Sequence, residues 1–268
     1  MTKTLQIGHQ TSYSYGAELA YAVLQLRLTP VKIMGQVIED WQCHIHGGKE
    51  EFNFTDQNGN IVKLITSEPD TKVIEIKASG TVKVNDTNGV AGEIACSTPT
   101  WLFKNQTPLT DLGNLSGDFT NNCAGDIGSI GWLHSLSAQI KDKVHYKIAE
   151  TETNSSALQA VQKGLGVCQD HTHIFIGCCR SVGIPSRYVS GYLLLDDVEH
   201  QTAMHAWAEA FVPSLGWVGF DVSNGVSPDT KYVRIAQGRD YKDVAPVKGS
   251  IFGGLEELMS VNLIVQQQ

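Results

Sequence analysis

The sequence predicts an α+β chain, with a β-sandwich-like first third ahead of a mixed helical and stranded remainder. Three observations carry this prediction. Residues alternate apolar and polar with period 2 to about residue 85, helical spacing takes over between 128 and 182, and apolar strand-like runs follow from 187. In the first third, Leu5, Ile7, Thr11, Tyr13 and Tyr15 mark one face of a half-buried strand. The alternation returns at Leu24, Leu26 and Leu28, at Val37, Trp41, Cys43 and Ile45, and at Phe52 and Phe54. DQNGN (56–60) is a hairpin turn, because Asn and Gly tolerate positive φ. Short strands with polar turns continue through VIEIKASGTVKV, and residues 1–97 read as one β-rich domain.

Residues 98–268 read as the second domain. The stretch 98–126 is rich in Thr, Asn, Gly and Pro and reads as a linker or long loop. Ile130, Leu133, Leu136, Ile140 and Val144 then recur at helical spacing, giving a helix over 128–145. A short helix over 155–163 is closed by Gly164. The helix after Val167 is apolar nearly all round and belongs at the centre of the fold, with Gly183 and Pro185 as its stop. RYVSGYLLL, HAWAEAFV and GWVGFDV follow as antiparallel strands, and LMSVNLIV closes the chain as a strand that must join a sheet.

A formal net charge of -8 and no run of Lys or Arg argue against nucleic-acid and anionic-membrane partners. MTKTLQIGHQ lacks the apolar segment of an export signal, and six cysteines without one suggest thiols in a reducing cytoplasm. No calcium-loop or zinc-ligand spacing is present, and no cofactor is expected.

Chemistry concentrates around GVCQDHTHIFIGCC. Cys168 follows GLG at the start of the central helix. Unpaired backbone N–H groups and the positive end of the helix dipole there stabilise a thiolate and can receive an oxyanion. Cys178 and Cys179 sit mid-helix among apolar residues and read as packing. Cys168, His171 and His173 do not share one helix face, which disfavours a metal site.

A base and its orienter come from the two following strands. If HAWAEAFV and GWVGFD form a hairpin centred on Pro213, His205 stands opposite Asp221 on one face, where the carboxylate fixes the imidazole tautomer. His200, in an acidic loop, is the competing base, and Asn224 is the alternative orienter. Tyr146 is the candidate second oxyanion donor beside the Cys168 N–H. Trp207, Trp217 and His171 are the candidate substrate-binding residues, and Asp170 complements the helix dipole.

GVCQDHTHIFIGCCRSVGIPSRYVSGYL, HAWAEAFVPSLGWVGFDVSNG and GRDYKDVAPVKG resemble the bacterial transglutaminase-like family of cysteine-protease-like proteins. LQIGHQTSYSY and LQLRLTP resemble that family's β-rich N-terminal region. The resemblance implies a papain-like transglutaminase core with a Cys168–His205–Asp221 triad. It implies thiol-dependent hydrolysis or acyl transfer on a peptide, protein or small amide. His171 with Thr172, and DVSNG, depart from the family pattern. A non-catalytic binding or scaffold protein of the same fold is the alternative.

Overall fold

The computed structural model describes residues 1–268 except 94, 95, 197, 199 and 268. Two sheets form the β-sandwich. In one, Thr2–Tyr15 lies between Val73–Asn85 and Glu257–Gln267, with Gln36–His46 and His200–Gln201 at the edges. The other runs Val247–Gly253, Leu19–Thr29, Ile61–Ser67, Gly48–Thr55. Leu19, Leu24, Leu26 and Ile65 of the second sheet bury against Tyr15, Ile74, Ile76 and Ala78 of the first.

The second layer is the α+β core. Its sheet runs Tyr232–Gly238, Ser186–Leu193, His205–Val212, Gly216–Phe220, Val90–Gly92. The central helix Cys168–Ser181 packs against it, burying Ile174, Phe175, Ile176, Cys178 and Cys179. Ile130–Lys143 and Ala157–Lys163 flank that helix, each begun by a serine whose side chain accepts a backbone N–H. Gly164 ends the second at φ 69°, the left-handed cap its sequence suggests.

Sheet membership does not follow the linear division at residue 97. Residues 90–92 pair with the core strand Gly216–Phe220, while both closing strands, Val247–Gly253 and Glu257–Gln267, pair in the sandwich. The last strand therefore finds its partner along the whole of Thr2–Tyr15, from Leu5↔Gln267 to Tyr15↔Glu257.

The stretch 98–126 is not a linker. It carries short helical turns at Thr100–Lys104, Gly113–Ser116 and Gly117–Thr120 and buries Phe103, Leu109, Leu112 and Phe119. Its polar composition hides this because only a few scattered apolar residues supply the buried contacts. Gly177 allows the approach: a Cβ there would fall 2.0 Å from the Thr110 carbonyl oxygen.

The core sheet also buries charge. Arg187 reaches one Glu209 carboxylate oxygen at 2.7 Å through Nε, and Arg234 contacts the other. Removing Glu209 would leave two guanidinium groups buried without their anion. Glu209→Ala is therefore expected to destabilise the fold by about 3–5 kcal/mol, read as a shift in the urea midpoint. A loss below about 1 kcal/mol would show the pair behaving as an exposed one.

Candidate active site

Cys168 opens the central helix at the wall of a 380 Å³ cavity that His205 also lines. The strand pairing that delivers His205 and Asp221 differs from the predicted one. Observed pairs run from Ala208↔Phe220 to Val212↔Gly216, so the hairpin centres on Ser214, at φ 73°, and not on Pro213. His205 and Asp221 are thus diagonal rather than direct neighbours. Because the shift is two residues, both stay on one face. His205 Nε2 lies 2.6 Å from Asp221 Oδ2.

Asp221 is fully buried, and its carboxylate is well supplied with donors. Oδ2 also accepts from the Tyr232 hydroxyl at 2.8 Å and from Asn224 Nδ2 at 2.7 Å, while Oδ1 accepts the Asn224 N–H at 3.1 Å. Burial favours the protonated acid, but His205, Asn224 and Tyr232 outweigh it and hold the carboxyl below its usual range. Asn224, the predicted alternative orienter, instead donates to Asp221. The DVSNG turn was its signal, since an Asp three residues ahead of Asn commonly accepts backbone N–H groups. Tyr232 carried no such signal, because only the sheet brings it to Asp221.

With Nε2 taken by Asp221, Nδ1 is the ring nitrogen left for the thiol. Burial opposes the imidazolium, yet hydrogen bonding and charge interaction with Asp221 and Cys168 push His205 up to about 10. A folded value above the unfolded 6.5 stabilises the fold fully below about pH 6.5, a contribution lost as pH rises toward 10. Cys168→Ala removes one of the two groups holding that proton, so His205 should titrate at lower pH by imidazole NMR. An unchanged titration would show that the thiol does not face His205.

The remaining predicted residues divide by burial. Tyr146, about half exposed, pairs with Gly166 and sets its ring 6.2 Å from His171, outside the cavity lining. His171 is buried outside the cavity lining: its Nε2 donates to the Val144 carbonyl at 2.8 Å and its Nδ1 meets Ser223 Oγ at 2.8 Å. It therefore clamps the loop after Asp221 to the end of the preceding helix. Trp207 is buried behind His205, with ring centroids 6.4 Å apart, and edge-on to Tyr232. Trp217 is buried under the Arg187 guanidinium, 3.9 Å from its ring centroid, and beside Phe103. Both tryptophans are buried, and strand alternation turns them to the face of the sheet opposite the one that packs on the central helix.

His200 is exposed, 3.2 Å from Asn262, and outside the cavity. His173 faces away from Cys168 and accepts the Tyr241 N–H at 3.2 Å. Asp170 acts structurally, its Oδ2 accepting the Val167 N–H at 2.8 Å and the Thr151 hydroxyl at 2.7 Å. Most of the cavity lining escaped the sequence reading, Tyr188 and His9 among it. Tyr188 is held in its protonated form by burial and by the Cys168 charge, and His9 comes from the first strand of the sandwich.

Two segments of the chain match two family models. Residues 116–222 match the transglutaminase-like superfamily, and residues 5–83 match the bacterial transglutaminase-like N-terminal region. The chain carries a transglutaminase-like core behind a bacterial transglutaminase-like N-terminal region. It is 28% identical over 268 residues to an uncharacterised protein of Mycobacterium leprae, covering 93% of each chain. An uncharacterised protein of Mycobacterium tuberculosis is 32% identical over 134 residues, which are 46% of this chain and 43% of that protein. The crystal structure of a protein from Cytophaga hutchinsonii, named a putative cysteine protease, superimposes with TM-score 0.78 at 20% identity. It covers 100% of this chain and 91% of its own. At that identity the likeness shows the transglutaminase-like fold. No helix among the described residues is long and apolar enough to cross a membrane.

Proposed function

We propose that this transglutaminase-like chain hydrolyses or transfers acyl groups of peptide or small amide substrates through Cys168, His205 and Asp221. The observation that carries the reading is the meeting of a helix-start thiol and an aspartate-bound imidazole at one cavity. The Cys168 thiolate attacks the amide carbonyl and forms the C–S bond. His205, holding the thiol proton, passes it to the departing amine nitrogen as the C–N bond breaks. Water or a second amine then takes the acyl group, giving its proton back to His205. Asp221 keeps the imidazole in the tautomer this exchange requires. The Cys168 N–H supplies one oxyanion donor, and the Tyr188 hydroxyl is the proposed second in place of Tyr146.

Brief alkylation with iodoacetamide, read by peptide mass spectrometry, tests the nucleophile before any substrate is known. Cys168 should label well ahead of Cys43, Cys123, Cys178 and Cys179. Burial raises all four of those thiols, Cys179 to about 12. Labelling of Cys178 or Cys179 at the same rate would remove the basis for a catalytic Cys168 and favour a scaffold of the same fold. Activity profiling on amide and peptide libraries, with Cys168→Ala as control, then identifies substrates.

A further inference from the structure

The sandwich forms one wall of the site. Along Thr2–Tyr15 the odd-numbered residues share a face. Leu5 and Ile7 bury into the core around the central helix, and Tyr15 buries into the sandwich. Between them, at the seam of the two cores, His9, Thr11 and Tyr13 line the cavity that holds Cys168 and His205. The closing strand adds Val261 opposite Thr11 and Met259 opposite Tyr13. The wall is therefore built from the two ends of the chain, outside the core that carries the triad.

This wall is polar but uncharged. His9 Nδ1 lies 2.9 Å from the Tyr192 hydroxyl and its Nε2 lies 3.0 Å from Thr11 Oγ1. Burial holds His9 down to about 4, so it is neutral at ordinary pH. Burial, with Glu257 nearby, pushes Tyr13 up to about 12, and burial also raises Tyr188 and Tyr241. No Lys, Arg, Asp or Glu is among the described lining residues. A charged side chain entering this space would lose its hydration and find no counter-ion. A neutral one meets hydroxyl groups and methyl-bearing side chains.

Resting on Cys168 as the nucleophile, we infer that this cavity is an acyl-side specificity pocket. In it the His9–Thr11–Tyr13 wall of the sandwich admits substrates with uncharged side chains and rejects acidic and basic ones. Its volume of 380 Å³ is enough to enclose a large side chain.

Four peptidyl acyloxymethyl ketones test the inference. They are identical except for glutamine, leucine, glutamate or lysine beside the reactive ketone. The thiolate displaces the carboxylate leaving group and forms a stable thioether, so mapped labelling of Cys168 gives a rate without a known substrate. The glutamine and leucine compounds should label at least about 10-fold faster than the glutamate and lysine compounds. A charged compound that labels as fast as the neutral ones overturns the pocket while leaving the nucleophile standing. Failure of all four to label Cys168 overturns the catalytic reading and the pocket with it. Val261→Lys should raise the glutamate-to-glutamine rate ratio about 10-fold by supplying the missing counter-charge. Met259→Lys, at a position 60% exposed, makes the same test with little risk to folding. If both variants fold, by circular dichroism, and neither changes the ratio, the sandwich wall does not select the side chain.

Discussion

Replacing His205 with alanine is expected to lower single-turnover rates by roughly 10,000-fold, the upper end of what a positioned acid–base group contributes. In the proposed mechanism the imidazole does two things, and alanine does neither: it carries the positive charge that pairs with the thiolate, and it holds the proton that the leaving amine needs. The fold should survive, because Asp221 keeps its bonds to Tyr232 and Asn224 when His205 is gone. Thermal unfolding would check that survival, and single-turnover kinetics on a library-derived substrate would give the rate. A folded His205→Ala protein with undiminished turnover would place the base elsewhere in the cavity.

Asp221→Asn should cost less, about 10- to 1,000-fold. A cysteine already holds some thiolate near neutral pH and depends less on its base than serine does. The loss should come through the tautomer. With an amide in place of the carboxylate, Nε2 of His205 no longer faces an acceptor on every side-chain orientation. The substitution should also cost stability. The carboxylate accepts from His205, Tyr232 and Asn224 with no exposure to water. Those three reach Oδ2 while the Asn224 N–H reaches Oδ1, so an asparagine, with one oxygen, leaves at least one donor unsatisfied, at about 1–3 kcal/mol. The expected protein is folded, less stable and slow. Tyr232→Phe separates the two effects: it removes one hydrogen bond to Asp221, lowering stability while keeping the histidine's acceptor. Full activity in a folded Asp221→Asn protein would remove Asp221 from the mechanism.

The residues that local physics governs could be read without a structure. Period-2 alternation marked the sandwich strands, 3.6-residue spacing marked Ile130–Lys143, and an all-round apolar run with a Gly and Pro stop marked the central helix. A helix start marked Cys168 as the thiol to watch. The His205–Asp221 meeting was legible for a less direct reason. The hairpin centre was misplaced by one residue, which moves the register by two, and an error of two keeps each side chain on its own face.

Tertiary structure decided what those faces meet. A period says that residues share a side of a strand and nothing about what stands across from it. Trp207 and Trp217 follow HAWAEAFV and GWVGFD as lining candidates, yet the sheet turns them into the interior. His171 looks available one helical turn from Cys168, but Val144 and Ser223, remote in sequence, occupy both its nitrogens. His9 falls in step between Ile7 and Thr11, a polar residue at a buried position. Its place in the cavity wall exists only because Thr2–Tyr15 runs across two cores, and the closing strand pairs beside it. Contacts across such separations are set by packing the whole chain, so no local pattern in the sequence encodes them.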